Sequence, residues 1–178
     1  MEPNFELSKG GVLMPQPIVV AGKYSGQIIR AGEVIDQFED HNLVVNEGLN
    51  ALLNIMFNGS TQVTTWYLGI FEGNYTPVAG LTAATVTSAS TETTAYTSAT
   101  RPEYVEAAAS SQSITNSANR ASFVFNATKT IYGAFLVSNP AKSATTGTLF
   151  SAARFATSKA VESGDELLLT YTFTASSV

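Results

Sequence analysis

His41 is the single histidine of the chain, and it closes the run Asp36-Gln37-Phe38-Glu39-Asp40-His41. A Ser-His-Asp triad needs an imidazole to take a proton and a carboxylate to orient it. Asp36 and Asp40 are close enough in sequence to be that carboxylate, but no nucleophile-elbow sequence of the G-x-S-x-G type occurs. Asp36, Glu39, Asp40 and His41 are also the residue types that ligate metals. Their spacing matches neither an EF-hand loop nor a His-x-x-x-His pair, so the run reads as a polar turn ahead of a helix. Cysteine is absent, which removes thiol catalysis, disulfide scaffolds and zinc-thiolate sites. Glu72, Glu103 and Glu106 are candidates for paired-carboxylate hydrolysis only because such pairs can lie far apart in a chain. No Gly-rich loop runs into Lys-Ser or Lys-Thr, so there is no P-loop. Trp66, Tyr67, Tyr75, Tyr96 and Tyr104 offer ring faces on which a sugar could stack. Trp66 and Tyr67 fall in a strand pattern, so one of them points inward, and Trp66 is expected in the core. No catalytic residue, metal or cofactor is assigned, and the chain is expected not to be an enzyme.

Charge narrows the partners further. Of 178 residues, 13% are charged, about half the usual ~25%. Threonine (22) and serine (18) take their place. Between Ala31 and Thr100 there is no lysine or arginine, while Glu33, Asp36, Glu39, Asp40, Glu47, Glu72 and Glu92 are acidic. Read blandly, these are solvated acids. Read sharply, two halves of opposite sign steer like copies or a partner into register. Neither reading provides the basic patch that nucleic acid requires. The most apolar stretch, Leu52 to Phe57, is far too short to span a bilayer. The Met1-Glu2-Pro3-Asn4-Phe5-Glu6 start has neither a basic nor an apolar region, so no secretory signal is expected.

The elements follow from periodicity. Residues 1–26 hold Pro3, Pro15, Pro17 and the Gly10-Gly11 pair, and read as an extended N-terminal arm with one short strand near Ile18. Residues 27–178 read as a single domain. Ile28, Ile29, Val34 and Ile35 suggest two short strands around Ala31-Gly32. A short helix is predicted at about 46–58. Asn46 is its cap, Glu47 lies in the first turn, and Leu49, Leu52, Leu53 and Met56 form one apolar stripe expected to pack on a sheet. Gly48 weakens that helix by ~1 kcal/mol relative to alanine. Strands are predicted at Thr64–Phe71, Ala121–Ala127, Thr130–Val137, Leu149–Phe155 and Glu166–Thr174. The uniformly apolar Thr130–Val137 suits a central strand covered on both faces. Residues 75–120 read mostly as long loops. The fold class is therefore mainly β: an antiparallel sandwich or jelly roll with one short helix and an extended N-terminal arm.

Several short motifs recur in a recognisable order. They are Val44-Val45-Asn46-Glu47-Gly48-Leu49-Asn50-Ala51-Leu52-Leu53, Trp66-Tyr67-Leu68-Gly69-Ile70-Phe71, Glu92-Thr93-Thr94-Ala95-Tyr96 and Arg101-Pro102. Ile131-Tyr132-Gly133-Ala134-Phe135-Leu136, Gly147-Thr148-Leu149-Phe150-Ser151 and Val161-Glu162-Ser163-Gly164-Asp165 follow. Over roughly residues 40–175 this order resembles small virion structural proteins of tailed bacteriophages. The resemblance implies a head decoration (cement) protein, made in the host cytoplasm and located in the virion. Its partners would be itself, as a trimer or dimer, and the major capsid protein, with no nucleic acid or membrane bound directly. A tail, connector or fibre-base component is the alternative within the virion, and a carbohydrate-binding module is the alternative outside it. The expected contact elements are the arm (Pro15, Pro17, Ile18) and the loops around Tyr96, Arg101 and Pro102.

Overall fold

A computed structural model describes residues 18–177. Pro15 and Pro17 lie outside that range. Ten strands and two helices occur among the described residues, and all strand pairings are antiparallel. The molecule is mainly β.

The sheet begins at residue 18, inside the 1–26 segment expected to be an extended arm. Strand β1 (Ile18–Arg30) is long and pairs along its length with β10 (Glu166–Ser177). Residues 18–26 are therefore part of a sheet. Ala31 and Gly32 both have positive φ, at 51° and 87°, and close a two-residue hairpin of the kind that matches strand twist. It leads into β2 (Glu33–His41). The ladder slips between Ile28 and Ile29, which face Asp36 and Val34. Ile35 is the extra residue of that bulge.

The predicted turn at Asp36–His41 is thus a strand. After β3 (Leu43–Val44) comes helix α1 (Asn46–Phe57). Its N-cap is Val45, not Asn46, and no side chain caps it. Strand β4 (Trp66–Phe71) follows, then helix α2 (Ala83–Ala89), β5 (Glu103–Tyr104), β6 (Ser113–Thr115), β7 (Ala121–Val124), β8 (Lys129–Val137) and β9 (Leu149–Val161). One sheet has the order β2-β1-β10-β6, with β7 also on β10, and the other β3-β9-β8-β4-β5.

Alternation along the strands builds the core. Leu167, Leu169 and Tyr171 of β10 join Tyr24 and Ile28 of β1 from the first sheet. Leu68, Ile70, Ile131, Leu136 and Phe155 meet them from the second. Strand β8 is central and covered on both faces, as its apolar run predicts. Its other side chains, Phe135 and Val137, enter a second core with Phe71, Leu149, Leu81, Ala83 and Val86. Helix α2 and its flanks supply that outer layer. The helix was hidden in the 75–120 stretch by its Thr/Ala/Ser composition. What starts it is a capping box, in which Thr82 and Thr85 each satisfy the other's backbone.

Candidate functional site

The carboxylates carry the candidate chemistry. Strand alternation splits the Asp36–His41 run between two faces. Asp36 accepts from Lys159 Nζ at 3.0 Å, and Asp40 Oδ1 accepts from the Ala156 amide at 2.8 Å, both on β9. Glu39 turns the other way to Lys23 at 2.7 Å. Exposed His41 is in register with Lys23. No group of three metal-ligating side chains forms among the described residues. Glu72 pairs with Lys129 at 2.8 Å, while Glu103 lies opposite Tyr67. Five residues of β4 separate the two backbones. At ~3.3 Å per residue that places the backbones ~16 Å apart, and the Glu72 carboxylate is engaged with Lys129.

Those pairings also change the meaning of the acidic segment. Four of the six ion pairs seen among the described residues join an acid from 31–100 to a base outside it: Glu39–Lys23, Asp36–Lys159, Glu72–Lys129 and Glu92–Arg101. Glu47 Oε2 accepts two backbone amides, Ala83 at 2.8 Å and Leu149 at 2.7 Å, and so ties α1 to α2 and β9. Much of the charge asymmetry along the chain is consumed by folding.

Tyr96 and Arg101, expected at a contact surface, are interior, each 1% exposed. The Arg101 guanidinium donates to both carboxylate oxygens of Glu92 at 2.8 Å and to the Asn139 carbonyl at 2.8 Å. The Ser143 amide donates to the same carboxylate at 2.9 Å. Lys142 Nζ lies 3.7 Å from the Tyr96 ring centroid and donates to the Tyr96 carbonyl at 2.8 Å. Burial lowers the Lys142 ammonium's affinity for its proton and raises the Tyr96 phenol well above its usual range. This cluster is an internal clamp that fastens residues 91–101 to the 139–144 turn. Pro102 beside it is half-buried, while Ile18 at the start of β1 is exposed.

One solvent-facing surface is mostly apolar. A groove of about 310 Å³ opens where the two sheets part. Ala51, Leu52, Ile55 and Met56 of α1 form one wall. Trp66, Tyr104, Ile114, Leu136, Phe150, Tyr171 and Phe173 supply most of the rest, the 62–64 segment adds Gln62, Val63 and Thr64, and among the described residues Glu106 is the one charged residue lining it. Trp66 is half-buried, not fully core. Its ring meets Phe150 edge-on at 5.6 Å, and Phe150 meets Phe173 at 5.1 Å. Edge-to-face contacts of this kind hold the rings rigid. The Tyr104 hydroxyl is buried here with no hydrogen-bond partner. Tyr96 and Tyr104 are interior, so the five aromatic residues considered for sugar stacking do not share a platform.

The expected α1 stripe is only partly covered: Leu49 and Leu52 are half-buried, while Leu53 and Met56 are exposed. Gly48 is the buried residue of the helix. A Cβ there would sit 2.3 Å from the Phe150 carbonyl oxygen. The glycine that weakens the helix locally is what lets it approach β9. With ~100° per residue, the inward side is Gly48-Ala51-Leu52-Ile55. Leu53, Met56 and Phe57 point outward, 55%, 65% and 82% exposed. The sequence marks an apolar arc but cannot say which part of it the sheets cover.

A second depression, about 450 Å³, lies on the outer face of the first sheet. It is lined by Ser25, Gln27, Gln37, Glu39, Leu168 and Thr170, and Arg120 is tied to Gln27 across it at 2.6 Å. No protein-family model matches the chain, and no curated protein matches it.

Proposed function

We propose that this chain is a non-enzymatic binding protein of a bacteriophage virion. In this reading it is a capsid decoration (cement) protein that clamps the major capsid shell as a homo-oligomer. The two sheets facing one core are read as a β-sandwich of the jelly-roll kind, and the segment before β1 as an arm available to a neighbour.

The virion setting comes from the resemblance over residues 40–175. The binding role is supported by one observation on the molecule. Among the described residues, ionisable side chains are largely spent on ties between elements, while the aromatic groove and the outer side of α1 stay uncovered and nearly free of charge. Contiguous apolar surface of that kind is how interaction sites present themselves. A cement protein needs such surface and no reaction centre. Binding only to the assembled shell would stabilise that shell by mass action, ~2.7 kcal/mol per site at a hundredfold excess over Kd.

Cryo-electron microscopy of the particle, with copy number from quantitative mass spectrometry, tests the reading. Copies on the scale of the shell subunits are expected, with density over the capsid lattice. A handful of copies on the tail axis would replace decoration by the connector or fibre-base role. Absence from mature particles would end both.

A further inference from the structure

We infer that the outer face of α1 and the groove beside it form a self-complementary surface on which a second copy of this chain docks. Leu53, Met56 and Phe57 project from α1, and the groove opens along the same helix with Met56 at its rim. Knob and hole therefore lie side by side on one patch. A two-fold axis through such a patch places each copy's knob against the other's hole, which is the condition for an isologous interface.

Charge favours a like partner. In a two-fold pairing each charge near the axis meets its own twin, so a self-interface must be poor in charge. Helix α1 carries only Glu47, and that carboxylate is engaged with the amides of Ala83 and Leu149. Among the described residues, Glu106 is the only charged one in the groove lining. Elsewhere charge is dense enough to form the ion pairs described above. A partner of complementary charge would find little to pair with here.

Area points the same way. The three exposed side chains present on the order of 400 Å² of apolar surface, taking ~150–250 Å² for a large side chain. That is about half of the ~800 Å² per partner found in stable interfaces, and the groove walls extend it. The helix is apolar around much of its circumference, a pattern that belongs to helices buried on more than one side.

This inference does not rest on the virion reading. A chain absent from particles can still dimerise, and a monomeric chain can still decorate a shell.

Sedimentation velocity on the full chain, from low to hundreds of micromolar, tests it. A monomer–dimer equilibrium is expected. Phe57→Lys and Met56→Lys should each raise the dissociation constant at least tenfold, with the circular-dichroism melt unchanged. Since the chain has no cysteine, a single introduced thiol reports only contacts between copies. Phe57→Cys should oxidise to a covalent dimer at least tenfold faster than Val34→Cys, which is 51% exposed near the β1–β2 turn. A monomer across the whole range overturns the proposal. So does a dimer indifferent to both lysine substitutions, or equal cross-linking at the two cysteine positions.

Discussion

The Arg101 clamp and the α1 face invert each other's chemistry. At the clamp, a guanidinium and a carboxylate are 0% and 1% exposed. On α1, a phenylalanine ring is 82% exposed. Charge is kept in and hydrocarbon is left out. The two regions answer different problems. Residues 91–101 are too poor in large apolar side chains to be held down by burial alone, so a geometrically fixed ion pair with carbonyl and amide partners holds them. Helix α1 has more hydrocarbon than the other described residues cover. Bidentate hydrogen bonds define one arrangement within the chain, whereas exposed apolar area is satisfied only by something from outside.

The sharpest way to break the comparison is to remove Arg101. Arg101→Met leaves the Glu92 carboxylate buried without its counter-ion, and the expected loss is ~3–5 kcal/mol. That is a large share of the ~5–15 kcal/mol that holds a domain together. The double variant Arg101→Met/Glu92→Leu should recover much of it, because no lone buried charge remains. Urea unfolding with an unchanged m-value reads both numbers. A single-variant loss no greater than the ~0–1 kcal/mol of a surface pair would mean the clamp holds nothing.

Gly48→Ala sits between the two regions in size of effect. Helix propensity alone favours alanine by ~1 kcal/mol. The added methyl meets the Phe150 backbone at 2.3 Å, a crowding expected to cost ~1–3 kcal/mol. Net destabilisation, with α1 displaced from β9, is the expected outcome. If unfolding instead shows a gain in stability, the close approach does not constrain the helix.

A smaller effect, visible only in acid, belongs to the Asp165 turn. Asp165 accepts from Arg30 Nε at 2.8 Å and Nη2 at 2.7 Å, and from the Glu162 amide at 2.7 Å. The Arg30 hydrogen bonds, foremost, hold its pKa below the usual 3.8. A carboxylate depressed on folding lends stability that is complete above the unfolded value and is lost as pH falls through the folded one. Asp165→Asn should therefore be less stable than wild type at neutral pH, and the gap should close below about pH 4. Denaturation midpoints across that range decide it. A gap that stays constant into acid would mean the ion pair contributes nothing through protonation.

These sites differ in how far the sequence exposes them. The β8 run and the Leu167-Leu169-Tyr171 alternation are legible because burial on a strand leaves a period of two or an unbroken apolar stretch. Helix α1 is legible as an element. Its orientation is not, because Gly48 reads as a defect until Phe150 is seen against it. The clamp is invisible for a related reason. Glu92 and Arg101 are nine residues apart within a Thr/Ser stretch, and nothing local distinguishes a buried pair from two solvated charges. Helix α2 escapes because threonine caps it where glutamate is the usual sign. The groove is assembled from seven elements distant in sequence, so the sequence singles out only Trp66 and Tyr104 among its aromatic rings, and nothing local joins them to Phe150, Tyr171 and Phe173.

The smallest expected change in stability is at Phe57, and it separates the two regions most cleanly. Phe57→Lys alters a side chain that touches little of its own molecule, so the unfolding free energy should move by less than ~0.5 kcal/mol. Helix propensity is nearly neutral in this exchange, since both residues fall well within the range of good to moderate formers. The same substitution places two like charges near a two-fold axis whenever copies pair, so its effect should appear only when copies meet. Arg101 and Phe57 would then be opposite cases: one decisive for folding, the other felt only on association. If Phe57→Lys destabilises the isolated chain by as much as a core truncation, the helix end is packed within its own fold, and the contrast between the two regions collapses.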